Sequence, residues 1–326
     1  MRISIVLAAF NGEKFIAQQL ESIIHNSRPP DEIILIDDHS SDATITIAQK
    51  IISSSPAIKL HVHRNPINLG ATRSFMIGAG ICSGDIIFFS DQDDVWRKEK
   101  VEKMLTPFEV DRSICMVYSD GAITDARLRP TGRTIFSTRR RRDLHLGNDR
   151  AKDSLARDPD IKGCTMAVRS ELIRKVIAGQ GPDPFDHWGH DHWIALFAFG
   201  LCKVGVVNEC LIDHRLHGNN TSAGMRFDPR RFEHLKKWIG TARTNAPDHD
   251  VRKYQLAIDH AKIFGPGFDP GLLSALGRMF AIAEQRSAIR NAGIWSRPFK
   301  AVRLYRQGIY DQHFNGIWSM LRDIAI

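Results

Sequence analysis

The 326-residue sequence has no Cys-x-x-Cys pair, no long apolar run and no internal repeat. Its five cysteines (82, 115, 164, 202 and 210) are scattered, which fits free thiols in a reducing cytoplasm. No stretch approaches the ~18 apolar residues a membrane-spanning helix needs. The start, Met1 to Leu7, reaches polar Asn11 too soon for a signal peptide. The first strand lacks the Gly-rich, basic loop that would cradle a triphosphate, which argues against a nucleotidyltransferase. Acidic charge is scarce in one place only. Positions 1–225 hold 28 basic and 28 acidic residues, whereas 226–326 hold 17 and 9, so the whole excess of +8 sits in the last third. Such asymmetry suits an anionic surface. Of membrane and nucleic acid, membrane is expected here.

What is present centres on Gly84 to Trp96. Ile86 to Phe89 is too short for a helix and suits a strand buried on both faces. It runs into Asp91-Gln92-Asp93-Asp94. Carboxylates this close repel one another unless a cation or basic ligand neutralises them. One Asp suffices to cap a helix starting near Val95. The other two need a further reason, and a divalent cation held against a phosphate supplies it.

Strands at Ile3–Ala8, Glu32–Ile36, Lys59–His63 and Ile86–Phe89 alternate with helices to about His25, over Thr44–Ser53 and over Ala71–Cys82. This alternation predicts a doubly wound, mainly parallel α/β sheet, whose ligand lies beyond the carboxyl ends of the strands. Asn11, Asp37-Asp38 and Asp91-Asp93 fall there. A helix from Val95 to about Pro107, a strand at Ile114–Tyr118, a mobile loop over 125–160 around Arg139 to Arg142, helices near Ser170–Ala178 and Asp191–Phe199, and a strand at Lys203–Val207 complete a domain of residues 1–225. Residues 226–326 read as a helical, basic extension. Pro298 suits a first helical turn. Tyr310, Phe314, Ile317, Leu321 and Ile324 recur at three-to-four spacing, with Lys300, Arg303, Arg306 and Arg322 among the polar positions. This fits either a basic amphipathic helix lying on a membrane over 298–326 or a helix packed on the catalytic domain.

In the Asp37-Asp38 pair one carboxylate can accept a hydrogen bond from a nucleotide base while the other fixes the turn. Arg73, after Asn68-Leu69-Gly70, is placed either near a diphosphate or simply on the surface. Asp191, at the start of an apolar helix, can act as an N-cap or as a general base on a sugar hydroxyl. Trp188 and Trp193 offer flat faces to a sugar ring, or are structural. His217 can complete a metal site. As a rival, His187, His190, Asp191 and His192 could ligate the metal of a hydrolase, but the crowded run points its side chains several ways. A non-catalytic sugar-nucleotide-binding protein is the other rival, with Asp93 and Asp191 arguing against it.

The order Ala8-Ala9-Phe10-Asn11, Ile36-Asp37-Asp38-x-Ser40-x-Asp42, Asn68-x-Gly70 and Ser90-Asp91-Gln92-Asp93-Asp94-Val95-Trp96 resembles the family 2 inverting glycosyltransferases. Gly163-Cys164-Thr165-Met166-Ala167, His190-Asp191-His192-Trp193 and Arg215-x-His217-Gly218-Asn219-Asn220 are most similar to its bacterial rhamnosyltransferases. The resemblance implies a GT-A type fold, a nucleoside-diphosphate-sugar donor and Mg²⁺ or Mn²⁺. It makes Asp37 and Asp38 base contacts, and Ala8, Phe10, Asn11, Asn68, Arg73, Asp91 and Gln92 further donor contacts. Asp91 and Asp93 become metal ligands with His217, and Asp191 the catalytic base. Many relatives carry an acidic pair where this chain has His190-Asp191. The expectation is a metal-dependent inverting transferase, using dTDP-rhamnose or alternatively a UDP-hexose. It would act on a glycan or lipid-linked acceptor in bacterial surface polysaccharide synthesis, in the cytoplasm or at the inner face of the membrane.

Overall fold

A computed structural model describes residues 1–138, 149–159, 161–178, 183–217, 248–310 and 317–325. The chain divides into two compact units, one of residues 1–141, 160–180 and 189–220, the other of 142–159, 181–188 and 221–326. The described residues 149–159 and 183–188, within the first 225 positions, cluster with the second unit.

The first unit is built on one mixed sheet. Strands β1 (Ile3–Ala9), β2 (Glu32–Asp37), β3 (Lys59–Arg64) and β4 (Ile86–Asp91) form its parallel part in the order β3-β2-β1-β4. Beyond β4 lie β8 (Met166–Arg169), β6 (Ile114–Thr124), β9 (Lys203–Arg215) and β5 (Val95–Trp96), with β7 (Pro130–Thr134) beside β6. Every residue of β2 is buried, as a strand covered on both faces requires. β3 is mostly exposed, and Lys59, His61, His63 and Arg64 blunt that edge. Helices α1 (Ile16–Ile24), α2 (Thr44–Ile52) and α4 (Lys100–Val110) bury Leu20, Ala48 and Met104 with Ile5, Leu7, Ile33 and Phe88 of the sheet.

On the opposite face α3 (Ala71–Ile81) comes unusually near the strands. A Cβ on Gly78 would lie 2.4 Å from Val6 Cγ1 and 3.0 Å from Ile36 Cγ1. Gly78→Ala is therefore expected to destabilise the protein by about 1–3 kcal/mol through overpacking, despite alanine's better helix propensity. Urea unfolding measures it, and a stabilised variant would mean that α3 can shift outward.

Three expectations are corrected. Val95 and Trp96 do not open a helix; they pair antiparallel with Asp213 and Ile212 of β9, and α4 starts only at Lys100. Within 125–160, β7, the 3-10 turn Phe136–Thr138 and α5 (Asp149–Arg157) stand where a loop was expected. The Arg139–Arg142 run lies outside the described residues. Finally, Cys115 and Cys202 are paired in a disulfide, and Cys82, Cys164 and Cys210 are free.

The second unit packs α9 (Pro270–Arg290) against α5 and α8 (His249–Ile263) and joins it to α10 (Arg297–Arg306) and α11 (Ile317–Ala325). Asp269 caps α9 by accepting the Leu272 amide at 2.6 Å, with Pro270 in the first turn. Tyr310 is fully buried with Ile289, Ala301, Leu304 and Met320. Its hydroxyl donates to Asp323 at 2.8 Å, and Arg286 and Arg290 donate to the same carboxylate at 2.7 and 3.0 Å. Tyr310 is thus packed within the second unit itself, on neither a membrane face nor the catalytic domain; Phe314 lies outside the described residues. Among the described residues no helix is long and apolar enough to cross a membrane.

Candidate active site

The sheet register sets the stage. Ala8 of β1 stands opposite Asp91 of β4, and Ala9 opposite Asp37 of β2, so both acids flank the carboxyl end of β1. Gln92 ties the loops together: its Oε1 accepts from the Phe10 amide at 2.9 Å and its Nε2 donates to the Phe10 carbonyl at 3.1 Å. Asn11 sits at φ 48°, with its Oδ1 accepting from the Ser41 amide at 2.9 Å. Phe10 remains 45% exposed at this edge.

The Asp37-Asp38 pair divides its work. Asp38 is consumed by the turn, accepting from Asn65 Nδ2 and from the Leu69 and Gly70 amides, each at 2.8 Å. Asn68 Nδ2 adds a 3.3 Å bond to the Asp38 carbonyl. Asp37 Oδ2 accepts from the Ser40 amide at 3.1 Å and faces Arg64, while Oδ1 is buried without a partner. A buried acceptor left unmet costs free energy, and a base N–H would meet it. Arg73 is half-buried in the first turn of α3.

At the end of β4 the three carboxylates differ. Asp94 is fully buried, and its Oδ1 accepts from His214 Nδ1 and the Arg215 amide, both at 3.0 Å. Burial alone would raise its pKa; His214 and these bonds hold it low. Neither it nor Asp93 caps a helix. Asp93 Oδ2 meets His217 Nε2 at 2.7 Å, and His217 stacks on Phe15 at 4.8 Å. Burial and Asp94 push Asp93 up, while burial, Asp94 and Asp93 raise Asp91 to about 7. Asp91 and Asp93 could hold a divalent cation, which would offset the repulsion among these neighbouring carboxylates.

A different trio lies closest together: Asp94, Cys164 and His214 bring their ligand atoms within 4.8 Å. All three are buried, and fully buried Lys100 donates to the Cys164 carbonyl at 2.6 Å over the Trp96 ring. Burial lowers the Lys100 amine to about 8, with Cys164, Asp94 and Asp91 opposing. Buried Lys100 beside this trio, and the bonds of Asp94 to His214 and the Arg215 amide, let it anchor the site internally. Arg215 completes the anchor, donating to the Asp93 carbonyl at 2.7 Å and to Gln18 Oε1 at 2.7 Å. Gly218 to Asn220 lie outside the described residues.

Asp191 opens α7 (His190–Leu201), and Gly189, not Asp191, is the N-cap. Its Oδ1 accepts from the His192 amide at 2.8 Å and its Oδ2 from the Gly163 amide at 3.2 Å. Burial would raise this carboxyl; His190, His192 and the two amides keep it ionised. His190 is buried, stacked on Phe75 at 4.2 Å and tilted on Phe89 at 5.6 Å. It works by packing, which removes it from the hydrolase ligand set. Asp191 and the acid cluster meet at one short turn: Gly163 holds Asp191, and Cys164 next to it lies in the field of Asp94 and Asp91.

Trp188 and Trp193 are corrected as sugar platforms, because each is only 2% exposed. Trp188 donates Nε1 to the Lys253 carbonyl at 2.9 Å under the Lys253 amine, and Trp193 packs on Phe197. The sequence reading missed Asp94, His214, Arg215 and Lys100 as the anchor of the acid cluster. Only the unusual density of acids around Asp94 hinted at it.

A half-parallel sheet carrying acids at the ends of β2 and β4, with an ionised Asp at a later helix start, defines an α/β transferase domain of the GT-A type. The chain belongs to glycosyl transferase family 2, whose family model matches residues 4–176. It is 26% identical over 223 residues to TuaG of Bacillus subtilis, named as a candidate teichuronic acid biosynthesis glycosyltransferase, covering 68% of this chain and 81% of that one. It is 31% identical over 210 residues to the dTDP-rhamnosyl transferase RfbG of Shigella flexneri, covering 59% and 64% of the two chains. Among solved structures, S. aureus TarS 1-349 in complex with UDP-GlcNAc matches with a TM-score of 0.54 at 16% identity, over 96% of this chain and 89% of that one. The mannosyltransferase PcManGT from Pyrobaculum calidifontis, in complex with GDP-Man and Mn²⁺, matches at 0.52 and 16% identity, over 94% and 75%.

Proposed function

We propose that this chain is an inverting glycosyltransferase that moves rhamnose from dTDP-rhamnose to a glycan or lipid-linked acceptor. The setting is assembly of a bacterial surface polysaccharide, at the inner face of the membrane. The observation that carries it is the Asp191 carboxylate, held by the His192 amide of its own helix and by the Gly163 amide of the turn that borders the acid cluster. The rhamnose choice draws on RfbG, which is named a dTDP-rhamnosyl transferase.

In this reading Asp37 Oδ1 accepts the imide N–H of thymine or uracil, while Asp38 keeps the neighbouring turn rigid. Gln92 locks the β1 and β4 loops into one rim around the nucleotide. Asp91 and Asp93 would hold a divalent cation, with His217 beside Asp93. Bound there, such an ion screens charge developing on a diphosphate leaving group. Asp191 takes the proton from the acceptor hydroxyl as its oxygen attacks the anomeric carbon opposite the departing diphosphate, which inverts the centre.

A thermal-shift panel tests this. dTDP-rhamnose is expected to raise Tm in Mn²⁺ and much less in EDTA, because a ligand that binds only the native state stabilises it. A larger rise with a UDP-hexose would transfer the reading to that donor. Equal shifts in both buffers would rule out the cation, and no shift with any nucleotide sugar would sink the donor class.

A further inference from the structure

After α9 the chain makes a tight turn, Gly293 accepting hydrogen bonds from the Ser296 and Arg297 amides at 2.8 and 3.3 Å, and enters α10. Around it stand large apolar side chains that the core does not use. Ile294 is 68%, Trp295 88%, Phe299 80% and Val302 37% exposed. α10 buries Ala301 and Leu304 on its inner side. At about 100° per residue, Phe299, Val302, Arg303 and Arg306 then share the outer side.

Along the chain from 291 to 310 the charge has a single sign. Residues 291–310 contain Arg297, Lys300, Arg303 and Arg306 and no acidic residue. Adjacent exposed apolar groups of this size mark a contact surface. A like-charged rim decides what the surface contacts: a second copy would bring the same cations face to face, which opposes pairing, whereas an anionic leaflet attracts them. Tryptophan and phenylalanine flanked by arginine and lysine are also the side chains that settle at the boundary between headgroups and acyl chains.

We propose that residues 293–306 form a membrane-docking ridge whose occupant is the anionic leaflet of a lipid bilayer. Ile294, Trp295 and Phe299 enter at headgroup depth, while Lys300, Arg303 and Arg306 sit against the lipid phosphates. The contact thus falls on the turn and α10, whereas Tyr310, which the sequence left open between a membrane face and a packed one, belongs to the core. The inference rests on the reading that the acceptor is assembled at the membrane, and it names the surface that brings the chain there.

The test uses the full chain with phosphatidylcholine vesicles, with and without phosphatidylglycerol, read by co-sedimentation at low and high salt. The wild type is expected to partition at least about tenfold more into the anionic vesicles, less so as salt screens the charges. Trp295→Ser with Phe299→Ser should lower that partitioning about tenfold or more. Arg303→Gln with Arg306→Gln should lower it about thirtyfold, taking the usual gain per basic residue near such a surface. Circular dichroism and the nucleotide-sugar thermal shift must match wild type in both double variants, so that folding loss is separated from surface loss. Undiminished partitioning of the folded variants would overturn the ridge, as would equal wild-type partitioning into both vesicle types. A wild-type dimer in sedimentation velocity, dispersed by Trp295→Ser with Phe299→Ser, would reassign the ridge to contact between copies. Absence of any nucleotide-sugar shift would sink the functional reading alone, since vesicle partitioning is read independently of it.

Discussion

Asp191→Asn lowers kcat by about 10²–10⁴, the usual worth of general-base assistance, or roughly 3–5 kcal/mol at 1.36 kcal/mol per tenfold. Asparagine keeps the shape of the side chain, and its one oxygen can still accept from a neighbouring amide, so α7 should stay in place. It cannot take a proton from the acceptor. Donor affinity should be nearly unchanged, because Asp91, Asp93 and Asp37 are untouched, and an equal fall in kcat and kcat/KM is the sign of an interaction made only in the transition state. Steady-state kinetics with calorimetric donor titration separates the two quantities. NMR of the product reads its anomeric configuration, which should be opposite to that of the donor. Near-native kcat in a folded variant would reduce Asp191 to a helix-start residue, and Asp186 would become the next candidate.

The second large effect is structural. Asp323→Asn should destabilise the second unit by about 3–5 kcal/mol, the usual loss when one partner of a buried ion pair is removed. Asp323 is fully buried and serves Arg286, Arg290 and Tyr310 at once. Asp250 lies 3.6 Å from Arg286 and 4.0 Å from Arg290, so it compensates part of the exposed charge and favours the lower end of that range. Urea unfolding at fixed ionic strength is the measurement. Unchanged stability would mean that α11 contributes nothing to the fold and that the tail is free for another surface.

The first four strands were legible because hydrophobic runs of strand length alternate with helical periodicity. Farther on, the sequence showed only the apolar starts of β6 and β9. Ser119-Asp120-Gly121 and Asn208-Glu209-Cys210 hide their continuations. These polar segments stay extended because β6 and β9 pair with each other through register shifts around Asp120. β5 has two residues and no pattern to read; its partner strand makes it a strand. The acid cluster could be found, and one member of Asp37-Asp38 could be expected to fix a turn, but which one depends on the amides of Leu69 and Gly70. That Asp94 is the internal anchor depends on His214, 120 positions away. The tryptophans were misread for a plain reason: an indole has both an apolar body and a polar N–H, and only tertiary contacts decide whether it is a platform or a filler.

The slot that holds His190 sets a rule for converting one member of the family into another. His190 packs against both Phe75 and Phe89, which also touch each other, and a Cβ on Gly163 would come within 2.4 Å of its Nε2. A glutamate or aspartate grafted into that slot would have to be stripped of water against two phenyl rings, at a position where His190 Nε2 is itself buried without a hydrogen-bond partner. An acid at position 190 is therefore expected to need a smaller or more polar wall at positions 75 and 89 before it can be accommodated.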